Sequence, residues 1–510
     1  MIEKYYSGVI EQIYNRIGKE TRNIVMANYS NDFSIENLEV IRRYQSNEDN
    51  VFFAYSEFSY NTLVGAYEPF LDIICNMHRR FIGGSFDDFQ KECGVYYLHR
   101  QVLNSYYETG ECFREETVLL NEVAYEQRRM TMAIADMLKK LSEVKPLMIV
   151  INRFQMASKS SIETIKYLID NPCANIGIVL GVNAIVKGTD STVEVWDRIV
   201  ESLEDRSAIY YIGSAGPLKN NVKTTNDDEL YITMNFEQSI QEASNIMEFL
   251  DFEQARRGCR IIEHKLKFED AWIDEKSLRR FYMVYARTSV LLGEMSKAIE
   301  LTNEYKALIP ENDSEHYLSL YYFMKGTCYM YQGKLEKAGN SAKSAYDYAV
   351  LAEDDTLIFK AELLSVMIKM SGWYNIFFCV QDIPVSDEII EKLIKHGYRN
   401  HLAHIYIYAY DNSRDVVKQS FYDESLLKHF TKGLELAKEI GNEQLVYDAY
   451  QKTIMLASTS GLNEIAFLYV IRTYEFMKGH GNIYVARVLT SIGYNLSAMG
   501  KNELVDNYYN

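Results

Sequence analysis

The sequence predicts an α/β domain built on a parallel sheet, followed by an all-α array of helix pairs. Five short apolar runs, separated by helical segments, lie within the first 230 residues, which is typical of a parallel sheet covered on both faces. After about residue 235 the strand signals stop, and amphipathic helical segments follow with glycines recurring about every 40 residues. The chain has only six prolines, which leaves long tracts free to be helical.

Length and charge narrow the class of protein. A chain of 510 residues is too long for one core. Its net charge of -17 opposes binding to nucleic acid phosphates or anionic lipid. The sequence contains no run of roughly 18 apolar residues, the length that a membrane span requires. Its N-terminus also lacks the apolar block of a signal peptide. We therefore expect a cytoplasmic protein that makes no membrane contact and for which nucleic acid binding is disfavoured.

The predicted elements of the first domain follow one another in order. Residues 1–20 have apolar side chains at helical spacing and predict an N-terminal helix. Helices are also predicted between residues 91 and 143, where proline is absent. The five predicted strands are the apolar runs at 22–27, 50–58, 146–151, 175–182 and 207–213.

The segment PLMIVINRFQMASKSSIETIKYLI, residues 146–169, resembles an ATPase acidic motif in its apolar strand and following helix. A working motif ends its strand in carboxylates that hold Mg²⁺ and position water. Here the strand ends in Asn152 and Arg153. An asparagine contributes no charge to a metal, and an arginine would repel it. The segment therefore predicts the fold of a nucleotide site without its metal chemistry.

The loop after the first strand tests this interpretation independently. Phosphate binding needs a Gly-rich turn whose amides face the phosphates, with a Lys and a Ser or Thr at the helix start. The pattern G-x-x-x-x-G-K-[ST] is absent, and the nearest string, GKET at 18–21, precedes the first strand. The loop predicted after that strand has neither glycine nor lysine, and Asp32 would repel phosphate. Its residues are Asn28, Tyr29, Ser30, Asn31, Asp32, Phe33 and Ser34.

The succession of strand, Gln155, Ala157, Ser161 and amphipathic helix resembles the second acidic motif of the signal-transducing ATPases with numerous domains, or STAND ATPases. In that family the strand usually ends in two acids and continues Leu-Gln-Trp-Ala-Asp. Asn152 and Arg153 depart from this pattern.

The resemblance covers roughly residues 20 to 220 at the level of fold. Tyr67, Pro69 and Phe70 look like the aromatic-Pro-Phe segment of the family, and 207–218 is similar to its final strand with a terminal Pro-Leu. The lid and winged-helix modules usual in the family do not fit into the short polar stretch that follows. The resemblance implies a degenerate P-loop-like, AAA-like domain over 21–230, for which we expect no catalytic residues, no cofactor and no metal.

The helical half, 235–510, carries a repeated signature. Gly293 and Gly333 are 40 residues apart, and Gly333 and Gly372, like Gly461 and Gly500, are 39 apart. A small residue in each of two antiparallel helices permits close approach, and the glycine ends the first helix in a left-handed turn. This pattern resembles the tetratricopeptide repeats, with an irregular bundle as the alternative. The signature residues are Ala286, Gly293, Ala298, Pro310, Tyr322, Gly326, Tyr329, Gly333, Ala338, Gly461, Ala466, Gly493 and Gly500.

Together these features predict a non-catalytic regulatory or scaffolding protein. Stacked helix pairs would bind a protein or peptide partner, and the pseudo-ATPase domain would serve as a platform. Two alternatives are a nucleotide-responsive signalling switch with an unorthodox pocket and a transcriptional regulator acting with a DNA-binding partner. The sequence does not indicate the partner or the oligomeric state.

Overall fold

A computed structural model describes most of the chain as two compact units, Met1–Leu308 and Ile309–Asn510. The predicted domain boundary near residue 235 follows the end of the sheet, whereas the first unit also includes the four helices after it. The described residues are 2–29, 38–46, 50–59, 63–116, 118, 122–183, 193–213, 235–268, 273–312, 314–374, 387–409, 424–459, 461–478, 489–490, 492–494, 496–497 and 499–509.

A five-stranded parallel sheet forms the centre of the first unit, as predicted. Its strand order is β2-β3-β4-β1-β5, so β1 lies between β4 and β5. Every described residue of β3 and β4 is buried, which explains why these strands are apolar throughout rather than alternating. The strands are β1 (Ile24–Tyr29), β2 (Phe52–Glu57), β3 (Leu147–Asn152), β4 (Ile176–Asn183) and β5 (Ile209–Ile212).

The first two residues of the predicted loop belong to β1 instead. Asn28 and Tyr29 are the last two residues of β1 and are fully buried. They pair with Val182 and Asn183 of β4 on one side and with β5 on the other. Pairing on both sides extends the strand past the residues at which the local apolar pattern ends. The rest of the predicted loop, Ser30, Asn31, Asp32, Phe33 and Ser34, lies outside the described residues.

Helices cover the sheet and link its strands. The predicted N-terminal helix is present as α1, and its Tyr6, Ile10 and Ile13 pack with alternate residues of β1, β3 and β4. The remaining residues of β3 and β4 are also buried, so both sheet faces are covered. The helices are α1 (Ile2–Tyr14), α2 (Glu39–Ser46), α3 (Phe70–Met77), α4 (Phe86–Glu92), α5 (Tyr97–Thr109), α6 (Val123–Val144), α7 (Lys159–Asp170) and α8 (Val193–Glu204).

Four further helices complete the first unit. They form two antiparallel pairs, α9 (Phe236–Glu248) with α10 (Phe252–Phe268) and α11 (Glu275–Leu291) with α12 (Met295–Ala307). The proline of the repeat signature, Pro310, follows α12.

The second unit is helical throughout its described part. No helix in the described ranges is long and apolar enough to cross a membrane. Its helices are α13 (Ser314–Tyr331), α14 (Leu335–Leu351), α15 (Asp355–Tyr374), α16 (Asp387–Lys395), α17 (Arg399–His404), α18 (Glu424–Ile440), α19 (Glu443–Thr459), α20 (Asn463–Met477) and a final helix, Asn502–Tyr509.

The repeat signature marks the turns and contacts of helix pairs. Gly293, Gly333, Gly461 and Gly500 all have positive φ angles, as left-handed helix ends require. The alanines that follow the first three, Ala298, Ala338 and Ala466, are fully buried. Ala286 lies buried in α11, Tyr322 and Tyr329 lie in α13, and Gly493 lies in a short helical segment.

Gly326 shows why a small residue is needed in the first helix of a pair. A Cβ at Gly326 would lie 3.0 Å from Leu364 Cδ2 of α15 and 3.4 Å from Ser341 Cβ of α14. Three helices therefore meet closely at this point, where any larger side chain would crowd its neighbours.

One expected turn is wrong. Gly372 lies inside α15, which continues to Tyr374, so the helix does not end at this glycine. Left-handed glycines that the 40-residue spacing does not predict occur instead at Gly397 and Gly441, after α16 and α18. A glycine is tolerated within a helix, so its presence alone does not determine a turn.

The α13–α14 pair offers a test in which two glycines give opposite results. Gly333→Ala should destabilise the protein by about 1–2 kcal/mol, because alanine disfavours the left-handed conformation. Gly339→Ala should stabilise it by about 0.5–1 kcal/mol, because Gly339 lies inside α14. A Cβ at either position meets no atom within 4 Å, so packing does not confuse the comparison. Chemical denaturation measures both values, and effects of the same sign would contradict this assignment of the turn.

Candidate functional site

All five strands end at one edge of the sheet. In open α/β sheets, ligands bind beyond the carboxyl ends of the strands, where the connections leave in opposite directions. Here the chain passes from β1 to β2 on one side and from β4 to β5 on the other, so that point lies between β1 and β4. The strand-terminal residues are Tyr29, Glu57, Asn152, Asn183 and Ile212.

Asn152 is held in a buried contact with tyrosine. Its Oδ1 accepts a hydrogen bond from the Tyr29 hydroxyl at 2.6 Å, and both side chains are fully buried. A Cβ at Gly181 of β4 would lie 2.7 Å from Asn152 Oδ1 and would overlap the hydroxyl of Tyr6. Glycine at this position therefore lets side chains from α1, β1 and β3 meet over β4.

Arg153 turns away from this contact. It has a φ angle of 53°, in the left-handed region that non-glycine residues seldom adopt. Its guanidinium Nη1 lies 3.2 Å from Glu57 Oε1 and donates to the Phe58 carbonyl at 3.3 Å. The positive charge expected from the sequence is thus paired with the carboxylate that ends β2.

Gln155 and Ser158 shape the connection from β3 to α7. The Gln155 side chain is buried, and its Oε1 accepts from the Asn183 amide at 3.4 Å. Ser158 caps α7 by accepting from the Ser161 amide. These residues of the ATPase-like motif act here as structural contacts between neighbouring elements.

A magnesium nucleotide requires negative charge for the metal and amide or cationic donors for the phosphates. Of the five strand-terminal side chains only Glu57 is acidic, and Arg153 neutralises it. Asn152 is neutral, and its carbonyl oxygen is bonded to Tyr29. In the described ranges no group of three or more His, Cys, Asp or Glu side chains could hold a metal ion. The described side chains at this edge do not fit a magnesium site.

A second polar site joins the α/β layer to the first helix pair. Asp251 is 4% exposed, and it accepts hydrogen bonds at both carboxylate oxygens. The Ser160 amide in the first turn of α7 donates to Oδ2 at 3.1 Å, and the Gln254 amide in the first turn of α10 donates to Oδ1 at 3.4 Å. Burial raises the pKa of Asp251, whereas the hydrogen bonds from Ser160 lower it. One carboxylate therefore caps two helices, a contact we call the Asp251 junction.

Contacts around the Asp251 junction tie the same elements together. The Gln254 side chain donates to the Val64 carbonyl at 2.9 Å, and Gln127 of α6 donates to the Leu250 carbonyl at 2.7 Å. Lys159 Nζ lies 3.0 Å from Glu253 Oε2. The start of α10 is therefore bonded to the layer at several points.

The end of α9 is bonded to the layer as well. The guanidinium of Arg114 donates to the Glu248 carbonyl at 2.7 Å, and both residues are buried. The Glu248 carboxylate in turn lies 2.8 Å from Arg287 of α11. This hydrogen bond and this ion pair together extend the connection from the α/β layer to the second helix pair of the same unit.

The comparisons with known proteins give distant likenesses. No protein-family model matches the chain, and no curated protein matches it. One similar structure is the STAND protein with a tetratricopeptide repeat sensor from Pyrococcus horikoshii, with 12% identity, a TM-score of 0.45 and coverage of 97% of this chain and 87% of that one.

Two further structures share part of the chain's length. A Rap protein complexed with competence and sporulation factor has 14% identity and a TM-score of 0.36, covering 54% of this chain and 74% of that one. NprR in complex with its cognate peptide NprX has 12% identity and a TM-score of 0.36, covering 54% and 76%. All three TM-scores are below 0.5, so these likenesses carry no argument about function.

We predict that Asp251→Ala destabilises the protein by about 2–4 kcal/mol, because it removes a helix cap and leaves the buried Ser160 amide without its acceptor. Asp274→Ala is the matched control, since Asp274 caps α11 by accepting from the Ser277 amide at a position that is only half-buried. The control should show a smaller loss in chemical denaturation. Equal losses would contradict a special role for the buried carboxylate.

Two neighbouring glutamates, Glu68 and Glu242, should make the stability of the protein depend on pH. A Cβ at Gly65 would lie 3.1 Å from Glu242 Oε1 and 3.4 Å from Glu68 Oε2, so both carboxylates approach the same backbone. Burial raises the pKa of both groups, and the Glu68 charge raises that of Glu242 further. A raised acid pKa means that ionisation costs stability in the folded state at neutral pH, and that the cost disappears as pH falls through the folded pKa.

Glu242→Gln should therefore raise the melting temperature at pH 7, and the gain should shrink as the pH is lowered toward the ordinary glutamate value of 4.5. Glu237→Gln removes the same charge from an exposed position in the first turn of α9, and it should give no such gain. A benefit of Glu242→Gln that persisted unchanged at low pH would contradict the assignment.

Proposed function

We propose that this chain is a non-catalytic regulatory or scaffolding protein that binds a protein or peptide partner through its helical repeats. The recurrence of glycine-turned helix pairs carries this proposal: Gly293, Gly333 and Gly461 each end a helix, and a buried alanine follows in the next one. Stacked pairs of this kind present an extended surface for a peptide or a partner's helix.

The α/β domain serves in this proposal as a platform without ATPase activity. The neutral Asn152 and the pairing of Arg153 with Glu57 support that role. The Asp251 junction supports it further, because it couples the α/β layer rigidly to the first helix pair.

A surface on α13 is the candidate for docking. Phe323, Thr327 and Tyr331 are spaced four residues apart and therefore share one face of the helix. All three are half-buried, and they define the α13 face. Half-buried aromatic side chains contribute large contact areas at interfaces while losing little conformational entropy.

The test uses the full chain with one blocking substitution and a matched control. Thr327→Arg places a long cation on the α13 face, and Ser344→Arg places the same group on α14. The two native hydroxyls each donate to the carbonyl four residues earlier, at 2.9 and 3.1 Å, so the local disruption is similar. Melting temperatures of both variants establish that they fold.

A partner captured from the native host is then purified and titrated against the three proteins by calorimetry. Thr327→Arg should weaken binding at least about tenfold, whereas Ser344→Arg should leave it unchanged. The same titration in millimolar Mg-ATP should give an unchanged affinity. Equal binding by all three proteins would refute the α13 face, and a nucleotide-dependent affinity would refute the proposed platform role.

A further inference from the structure

A basic cleft lies at the amino-terminal edge of the sheet, opposite the edge described above. It has a volume of about 140 Å³. Its walls come from the chain leading into β1, the end of α7 and the residues before β5, and its charged residues are Arg16, Glu20, Arg22 and Arg206. We call it the arginine cleft.

The charge of the arginine cleft contrasts with that of the whole chain. Three arginines and one glutamate give its lining a net charge of +2 (3 − 1), whereas the chain carries -17. Like charges gathered in one small cleft repel one another and favour an anion of matching charge. A phosphate group carries about -1.5 to -2 at neutral pH and fits this requirement.

Not every guanidinium group of the cleft is bonded to another described residue. Arg206 Nη1 donates to the Ile169 carbonyl at the end of α7, at 2.6 Å, and Arg16 Nε lies 3.6 Å from Glu20 Oε2. Arg22 is exposed and makes no hydrogen bond or ion pair to any residue in the described ranges. Each guanidinium has five N–H donors in a planar fork, so donors remain for a bidentate contact with an oxyanion.

Asn23 holds the chain in place beside the arginine cleft. Its side chain lines the arginine cleft and is fully buried. Its Nδ2 donates to the carbonyls of Glu20 and Ala174, at 2.6 and 3.2 Å. Its Oδ1 is buried and accepts no hydrogen bond from the described residues. This oxygen has almost no accessible surface, so Asn23 fixes the wall of the cleft and offers no contact to a ligand.

From this combination of positive charge and free N–H donors in one cleft, we propose that the arginine cleft binds the phosphate group of a small phosphorylated ligand. The volume is below the roughly 300–1,000 Å³ of sites for drug-sized ligands, so the cleft takes the phosphate and little of what is attached to it. This site is separate from the proposed repeat surface, and either can fail without the other.

Calorimetric titration of the full chain with inorganic phosphate, at constant ionic strength, tests the proposal. Arg22→Gln should weaken phosphate binding about tenfold or more, the loss expected for a hydrogen bond to a charged group. Lys19→Gln is the matched control, because Lys19 is an exposed cation nearby that does not line the cleft. It removes one positive charge and should leave binding almost unchanged. Both variants replace exposed residues, and equal melting temperatures without phosphate establish that they fold.

Two further ligands test which chemical class of ligand the arginine cleft binds. Glycerol phosphate should bind at least as tightly as inorganic phosphate, and acetate should bind more weakly, because it has one charge. Absence of phosphate binding at millimolar concentration, or equal losses in Arg22→Gln and Lys19→Gln, would overturn the site. Acetate binding as tight as that of phosphate would overturn the ligand class. Binding of a phosphoserine peptide but not of glycerol phosphate would overturn a small-molecule ligand.

Discussion

The buried carboxylate of Asp251 is the contact on which the arrangement of the first unit depends. A helix begins with amide groups that have no partner within the helix, and burial makes such groups costly. Asp251 accepts from the first turns of α7 and α10 together, so a shift of either helix start would break a hydrogen bond to this carboxylate. The helix pair that follows the sheet is thereby held in a defined position on it, and Arg114 secures its other end.

The asparagine at the end of β3 has a structural role. A carboxylate beside the buried hydroxyls of Tyr6 and Tyr29 would be largely removed from water, at considerable cost. The amide of Asn152 accepts from Tyr29 without that cost. The sheet edge is therefore packed with neutral side chains, and the remaining charges, Arg153 and Glu57, neutralise each other beside it.

The sequence predicts the fold better than it predicts the contacts of the candidate sites. Strands such as β3 are recognisable because both faces are buried and the apolar run is continuous. The end of β1 is missed because its pairing partners lie far away in the chain. The Asp251 junction has no local signal either, since Asp251 and Ser160 are 91 residues apart. Gly293 and Gly333 are correctly predicted as turns, whereas Gly372 shows that a regular spacing does not ensure one.

The inclusion of α9 to α12 in the same compact unit as the sheet has a consequence for the repeats. A stacked array exposes an apolar surface at each end, and soluble arrays normally need a polar terminal repeat to cover it. Here Asp251, Gln254 and Arg114 bond the first helix pair to the α/β layer. The layer thus covers the side of the first helix pair that it contacts, and the first pair needs no polar outer face there.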